Sequence, residues 1–207
     1  MGSNPTSSAL PTSSFGEAHD GWSALVEELL KIAGLSVVGV TLTAMRLEMM
    51  TAEDVELRLR TETDPVMMAE LGGPRPPEDI KRAHARALVL AAEGRCWPLK
   101  VIPDGSASAA GSVAVFESSH EGETIYEIGW MVLPEFQNRG IASQAVRTVL
   151  DKARAERKFG RIHAFPAVTN GPSNKLCEKN GFANLGACEV EFAGRTLRCH
   201  HWRIDLF

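Results

Sequence analysis

The chain has 207 residues, of which 44% are apolar and 23% charged, and its formal net charge is −4. These values are typical of a globular domain that buries a core without disulfides or metals. The acidic balance gives no general attraction to nucleic acid or an anionic membrane, and it tolerates a cationic amine as a ligand. The four cysteines form no Cys-x-x-Cys pair and no metal-ligand spacing, so we expect reduced thiols in a cytoplasmic protein without a metal. No secretory signal and no apolar run of about 18 residues, the length of a membrane span, is present.

The N-terminal part of the chain differs in composition from the rest. Residues 1–18 are rich in Ser, Thr, Pro, Gly and Ala, which predicts a disordered leader because they bury too little apolar surface to offset the entropy of ordering. Residues 19–42 are predicted to form a helical extension and the lead-in to the first strand, with Asp20 as the helix cap and Gly34 at its end. The apolar stripe of this helix suits packing on the domain, and it would also suit a homodimer contact.

Residues 43–207 are predicted to form one domain of strands and helices. A first strand within 37–49 precedes a helix from about Thr51, and Asp64-Pro65 marks a break. A loop over 72–77 leads to a helix over 78–93. Later strands are predicted over 97–102, 112–116, 127–132, 161–168, 187–192 and 196–204, and later helices over 140–158 and 173–180.

The segment from Glu127 to Ala142 reads as an apolar strand, a short turn and a helix whose first residues are polar or small. The first N–H groups of a helix have no partner within it and carry the positive end of its dipole, so such a turn can bind phosphate. Gly140 and Ala142 let a ligand approach these amides, because larger side chains would hold it away. The segment therefore predicts a diphosphate-binding turn.

This segment and a second one, Asn170 to Phe182, together resemble the GNAT superfamily of N-acetyltransferases. Residues 137–142 match its Gln/Arg-x-x-Gly-x-Gly/Ala pyrophosphate loop, and the second segment matches its Asn…Ser/Ala…Lys-x-Gly-Phe stretch. The resemblance covers residues 43–207 and implies an α/β (α+β) GNAT fold, a mixed and mostly antiparallel central sheet flanked by helices, with splayed strands holding acetyl-CoA. It also implies acetyl transfer to a primary amine by direct attack, without a metal.

Two further phrases resemble one branch of this family, which acetylates ribosomal-protein N-termini and various small amines. They are Glu-Ile-Gly-Trp at 127–130 and Asp64-Pro65 followed by Leu-Gly-Gly at 71–73. The acceptor within that branch depends on the variable helical region over the site and on the final hairpin, so the fold leaves it open. The resemblance thus implies either a small-molecule amine or a protein N-terminus as the partner.

The resemblance places the cofactor mainly on backbone groups. It implies that the pantetheine arm lies along Met131, Val132 and Leu133. Asn170 matches a family position that hydrogen-bonds the cofactor arm, although an Asn before Gly-Pro is also an ordinary turn residue. The resemblance assigns the pyrophosphate to Gln137, Asn138, Arg139, Gly140, Ile141 and Ala142.

Acetyl transfer needs a base for the amine proton, a donor for the oxyanion and a proton for the departing thiolate. The Val132 amide is expected to serve the oxyanion. Glu127 lies near the family position of a carboxylate that receives the amine proton, and the alternative is a strand-end Glu in solvent. Cys177 stands where many relatives carry a tyrosine that protonates the thiolate, so it is either that acid or a small buried apolar residue. Ser173 lies one helical turn from Cys177. It is an alternative to Cys177 as the contact of the thiolate, and it is also an expected contact of the cofactor.

The sequence leaves open the roles of three histidines and two alternative functions of the protein. His163 and the pair His200-His201 either act as a base, line the acceptor pocket or are structural. Strand alternation puts His200 and His201 on opposite faces, which argues against a two-histidine metal site. A non-catalytic acyl-CoA-binding protein would fit the missing tyrosine and the added N-terminal helix. An aminoglycoside acetyltransferase would need an acidic acceptor cleft, for which the sequence offers Glu62, Asp64, Glu78 and Asp79.

Overall fold

A computed structural model of the chain describes residues 45–207, which build a single sheet with helices on both faces. The predicted leader over 1–18, the extension over 19–42 and the start of the predicted first strand lie outside the described residues. Within residues 45–207, no helix combines the length and the apolar character needed to cross a bilayer.

The sheet is mixed and mostly antiparallel, as predicted. Its order is β1-β2-β3-β4-β5-β7-β6, and only the β4–β5 pair is parallel. The strands are β1 (Met45–Met49), β2 (Cys96–Pro103), β3 (Gly111–His120), β4 (Glu123–Val132), β5 (Arg161–Ala164), β6 (Ala183–Phe192) and β7 (Arg195–Asp205).

The helices follow the predicted positions closely. They are α1 (Val55–Glu62), α2 (Pro77–Ala92), α3 (Ile141–Ala155) and α4 (Gly171–Lys179), with short 3-10 turns at Ala52–Asp54, Ala69–Leu71 and Pro134–Phe136. Gly181, with a φ of 83°, ends α4 in the left-handed conformation that glycine adopts without strain. We call the segment between α1 and α2, residues 63–76, the overhang.

The main core lies between the sheet and α3. The helix buries one stripe of small and branched residues, Ile141, Ala145, Val146, Val149, Leu150 and Ala153. This stripe packs with buried residues of the central strands, including Val113, Val115, Ile128 and Ile162. Each fully buried Val, Leu or Ile contributes roughly 1.5–3 kcal/mol, so the amphipathic pattern of α3 fixes which face of the sheet the helix covers.

Helix α1 lies over the opposite face of the sheet. Trp97, Leu99 and Val101 of β2 point into the α3 core. Lys100, which alternates with them, donates from Nζ to the carboxylate of Asp54, directly before α1, at 3.0 Å. The face away from α3 is therefore covered at the β1–β2 side by the start of α1 and by α2, which packs against both β2 and α1.

Strand β5 is shorter than its predicted range of 161–168, which was wrong at its end. Pro166 has no amide to donate, and its carbonyl accepts from the His200 amide of β7 at 2.9 Å. The Val168 amide likewise donates to the Arg198 carbonyl at 3.1 Å. After Ala164 the chain therefore follows β7 and turns away from β4.

Candidate active site

A gap opens between β4 and β5 on the C-terminal side of the sheet. The two strands share one paired position, Glu127 with His163. Strand β5 ends at Ala164, whereas β4 continues to Val132. Among residues 45–207, the last part of β4 therefore has no strand partner on one side, which leaves backbone N–H groups there for another ligand.

Val132 directs its backbone polar groups into this gap. The amide of Leu133 donates to the Ala110 carbonyl, on the β3 side, at 2.8 Å. Backbone groups alternate in direction along a strand, so Val132 points the other way, while Met131 and Leu133 both point towards β3. The Gln137 side chain reaches back and donates from Nε2 to the Val132 carbonyl at 2.8 Å. Of the three residues predicted to meet pantetheine, only Val132 offers an amide to the gap.

The turn between β4 and α3 has the form that the sequence predicts. Asn138 and Gly140 have φ angles of 60° and 76°, both in the left-handed region of the backbone. Glycine adopts this conformation without the strain that other residues incur, which explains its presence at position 140. In α3 the Gln144 amide donates to the Gly140 carbonyl at 3.0 Å. The amides of Ile141 to Ser143 have no backbone acceptor within residues 45–207, and no acidic side chain lies in this first turn. The helix therefore presents free N–H groups beside the gap.

Helix α4 begins on the other side of the gap. Asn170 is its N-cap, and Oδ1 of its side chain accepts the Ser173 amide at 3.1 Å. This capping contact agrees with the interpretation of Asn170 as an ordinary turn residue. It leaves the side-chain nitrogen of Asn170 for other contacts. Ser173 is half-buried in the first turn of the helix.

Asn174 holds the segment after β5 in place, and the sequence analysis missed it. Its Nδ2 donates to the carbonyls of Ala167 and Asn170 at 2.9 and 2.8 Å. Its Oδ1 accepts from Nδ1 of His200 and Nε1 of Trp202, both at 2.9 Å. This pattern uses both ends of the amide, which fixes its orientation and ties the turn to β7. An Asn inside a helix, where it is a poor helix former, was the available signal.

Asn174→Asp is expected to destabilise the protein by about 2–4 kcal/mol, because a carboxylate cannot donate to the two carbonyls and repels them. Chemical unfolding measures the change. The matched control is Asn184→Asp in β6, where the side-chain oxygen only accepts, from the Gly186 amide at 2.8 Å. Equal unfolding free energies for both variants would contradict the role given to Asn174.

Glu127 lies within β4, four positions after the strand begins at Glu123, and it is half-buried. The alternative of a solvent-exposed Glu at a strand end is therefore wrong. Its register with His163 puts both side chains on the face of the sheet away from α3. Burial raises the pKa of Glu127, and the Ser118 hydroxyl partly offsets that rise. A carboxylate of raised pKa beside an open cleft suits proton transfer.

The histidines divide between the two faces, as predicted. His200 points to Asn174, whereas His201 meets His163, with 2.7 Å between Nε2 and Nδ1. Phe165 and His120 each pack on His201 with ring centroids 4.8 Å apart. Burial, and then the neighbouring His201, lowers the pKa of His163 to about 4. Burial also lowers the pKa of His201, so both rings are neutral near pH 7 and form a packed wall beside Glu127.

Cys177 is fully buried in the core beneath α3. Burial raises the pKa of its thiol to about 12. A side chain enclosed by apolar neighbours does not reach a ligand in the gap. The geometry therefore favours the interpretation of Cys177 as a small buried apolar residue.

Each acidic residue offered for an acidic acceptor cleft has a partner within the protein. Asp64 accepts the amides of Val66 and Met67 at 2.8 and 2.9 Å. The other three form ion pairs: Glu62 with Arg58 and Arg75, Glu78 with Lys81, and Asp79 with Arg82. These carboxylates are thus neutralised or used as caps.

Comparisons with known proteins agree with this geometry. The family model described as "Acetyltransferase (GNAT) domain" matches residues 44–183, more than half of the chain. A curated relative, the uncharacterised N-acetyltransferase YnaD of Bacillus subtilis (strain 168), is 38% identical over 65 residues, which are 31% of this chain and 38% of that protein. The chain belongs to the GNAT acetyltransferase family.

Two solved structures share its fold. One is a Salmonella typhimurium acetyltransferase that modifies the N-terminal serine of ribosomal protein L7/L12, with a TM-score of 0.65, 16% identity, and coverage of 81% of this chain and 98% of that chain. The other is an aminoglycoside acetyltransferase in complex with coenzyme A, with a TM-score of 0.64, 17% identity, and coverage of 78% and 95%. The two scores are nearly equal, so the fold alone does not choose between these acceptors.

Proposed function

We propose that the protein is an acetyl-CoA-dependent N-acetyltransferase that acetylates a primary amine by direct attack. The observation that carries the proposal is the gap after the Glu127–His163 pair, with the Val132 amide on one side and the free N–H groups of α3 at its end. Backbone donors in this arrangement bind a pantetheine arm and its diphosphate without a metal.

The cofactor-binding residues follow from this position. The turn over 137–142 would hold the pyrophosphate through its backbone amides, and the exposed Arg139 adds a cation there. Val132 would bond the pantetheine arm, while Met131 and Leu133 support it by packing. The side-chain nitrogen of Asn170 and the Ser173 hydroxyl would contact the arm from α4. Acetyl-CoA supplies the activated acetyl thioester.

The chain's own groups then have three tasks. Glu127 accepts the proton that the amine loses, either directly or through water. The Val132 N–H donates to the oxyanion that develops on the acetyl carbonyl. Ser173 lies one helical turn before the buried Cys177 and is the better placed of the two to hydrogen-bond the departing thiolate, whose proton water can also supply.

The proposed acceptor is a small-molecule amine or a peptide N-terminus. The phrases at 127–130 and 64–73 favour the branch that acetylates peptide N-termini and small amines. An aminoglycoside acceptor has less support, because the four candidate carboxylates are engaged by internal partners. A non-catalytic acyl-CoA binder has support only from the missing tyrosine.

The test measures coenzyme A thiol released from acetyl-CoA with aminoglycosides, polyamines, amino acids and short peptides that have free N-termini. Release with one amine class, and none without amine, supports the enzyme and identifies its acceptor. Tight acetyl-CoA binding without release in any mixture would favour the non-catalytic binder instead.

A further inference from the structure

A cavity of about 350 Å³ lies between the overhang, the start of α2 and the β6–β7 turn. Its charged lining consists of Arg75 from the overhang, Asp79 and Arg82 from α2, and Arg195 from β7. Guanidinium groups from three separate elements thus meet around one space. Since a planar guanidinium fits carboxylate and phosphate groups, this lining is suited to an anionic ligand.

The positive charge at this cavity is only partly neutralised. Arg82 is paired with Asp79, and the Glu62 carboxylate is shared by Arg58 and Arg75. Arg195 donates to the neutral carbonyl of Gly72. Four arginines therefore meet two carboxylates, which leaves a local charge of +2 in a chain whose net charge is −4. Such a local surplus is expected where an anion binds.

Of the neighbouring acidic residues, Glu191 points away from the cavity and Glu70 offsets at most one positive charge. Glu191 bonds Thr196 across the hairpin, and strand alternation puts this pair on the face opposite Arg195. Glu70 in the overhang accepts a hydrogen bond from Thr169. The cavity thus keeps its positive character.

Arg75 is held rigidly at the cavity. Its amide donates to the Glu62 carbonyl at 2.9 Å, and its guanidinium lies 5.8 Å from the centroid of the Phe192 ring. Its Nε is buried and has no hydrogen-bond partner among residues 45–207. A buried donor without a partner is rare in proteins, so the Arg75 guanidinium keeps unused hydrogen-bonding capacity at the wall of the cavity.

The cavity lies on the same side of the sheet as Glu127. Alternate residues of β7, from Arg195 through Cys199 and His201 to Arg203, share the face that carries His163 and Glu127. The overhang also links the two places, because Glu70 bonds Thr169 beside the gap and Leu71, the next residue, lines the cavity.

We infer that this cavity binds an anionic oxyacid group, a carboxylate or a phosphate, carried by the acceptor amine. The inference rests on the proposed function and deepens it by naming the acceptor class, which is an amine whose own molecule bears an acidic group. Polyamines and aminoglycosides would be poor acceptors, because their charges are repelled at Arg75 and Arg195.

Matched peptide acceptors test the inference. The peptide amide Ala-Ser-Asp-Glu is compared with its neutral counterpart Ala-Ser-Asn-Gln, and Ala-phosphoserine-Asn-Gln amide distinguishes phosphate from carboxylate. We expect kcat/KM to be about tenfold higher for an acidic peptide, mainly through KM, because a charge-assisted hydrogen bond is strong enough to supply the corresponding difference of about 1.4 kcal/mol. The preference should fall as salt rises. Preference for either acidic peptide supports the inference and identifies the group.

Arg195→Gln is expected to remove most of this preference. The matched control is Arg198→Gln on the opposite face of β7, which should keep it. Isothermal titration of the same peptides gives a readout that does not need turnover. Acetylation with no acidic preference, or a preference unchanged in Arg195→Gln, would overturn the inference while leaving the enzyme intact. Absence of acetylation of these peptides and of every amine in the thiol-release panel would refute the proposed function, and equal binding of acidic and neutral peptides would refute the inference separately.

Discussion

Glu127→Gln is expected to lower kcat for amine acetylation by about 100-fold or more, while acetyl-CoA affinity changes little. The substitution keeps the shape of the side chain and removes the proton acceptor, and general-base catalysis contributes about 10²–10⁴-fold. Steady-state rates and a separate titration of acetyl-CoA binding measure the two effects. The affinity should be kept because the residues proposed to bind the cofactor lie at the other end of β4 and in α3.

The pH profile adds a second readout for Glu127. Only the ionised carboxylate accepts a proton, so wild-type kcat/KM should rise with pH through the pKa of Glu127. Burial raises that pKa above its usual value of 4.5, so the rise lies above pH 4.5. The kcat/KM of the Glu127→Gln variant should not show this rise with pH. His163, with a pKa of about 4, stays neutral throughout the rise.

Cys177→Ala serves as the comparison. Because Cys177 is buried in the core, its loss should lower stability through the small cavity that it leaves and should lower turnover less than Glu127→Gln does. The opposite order of the two rates would reverse the assignment of roles.

Gly111→Ala is expected to reduce both stability and acetyl transfer strongly. Gly111 faces Val132 across the β3–β4 pair. A Cβ at this position would lie 2.8 Å from the Cα of Val132 and closer still to the Met131 carbonyl oxygen. Backbone cannot move aside as a flexible side chain does, so the end of β4 would shift and carry the Val132 amide with it. Overpacking of this kind costs about 1–3 kcal/mol.

Thermal unfolding and acetyl-CoA titration measure these losses. Gly129→Ala is the control for packing, because a Cβ there meets only a ring carbon of Phe116, at 3.9 Å. Its unfolding free energy should change by no more than about 0.5 kcal/mol. If Gly111→Ala kept wild-type stability and cofactor affinity, the close approach of β3 and β4 would not be what positions Val132.

Much of the fold could be predicted from local pattern. The apolar spacing of Ile141, Val146, Val149 and Leu150 has the period of a helix, and the strand-turn-helix at 127–142 carried its own glycine signal. Such features depend on neighbours in sequence. They can therefore be predicted without knowledge of tertiary contacts.

The missed features depend on distant contacts. Asn174 acts through Trp202 and His200 of β7, and Gly111 is required by the backbone of β4. The end of β5 is set by bonds from Pro166 and Val168 to β7. The pairing of Glu62 with Arg75 likewise spans the overhang. The local sequence pattern does not reveal these contacts, because they join residues that tertiary packing brings together.

The most direct test measures the N-acetylated amine by mass spectrometry together with released thiol, in wild-type and Glu127→Gln protein. We expect one acetylated amine per thiol in the wild type, no release without amine, and a rate lower by about 100-fold or more in the variant at unchanged acetyl-CoA affinity. Thiol release that does not depend on amine, or an equal rate in the variant, would contradict it.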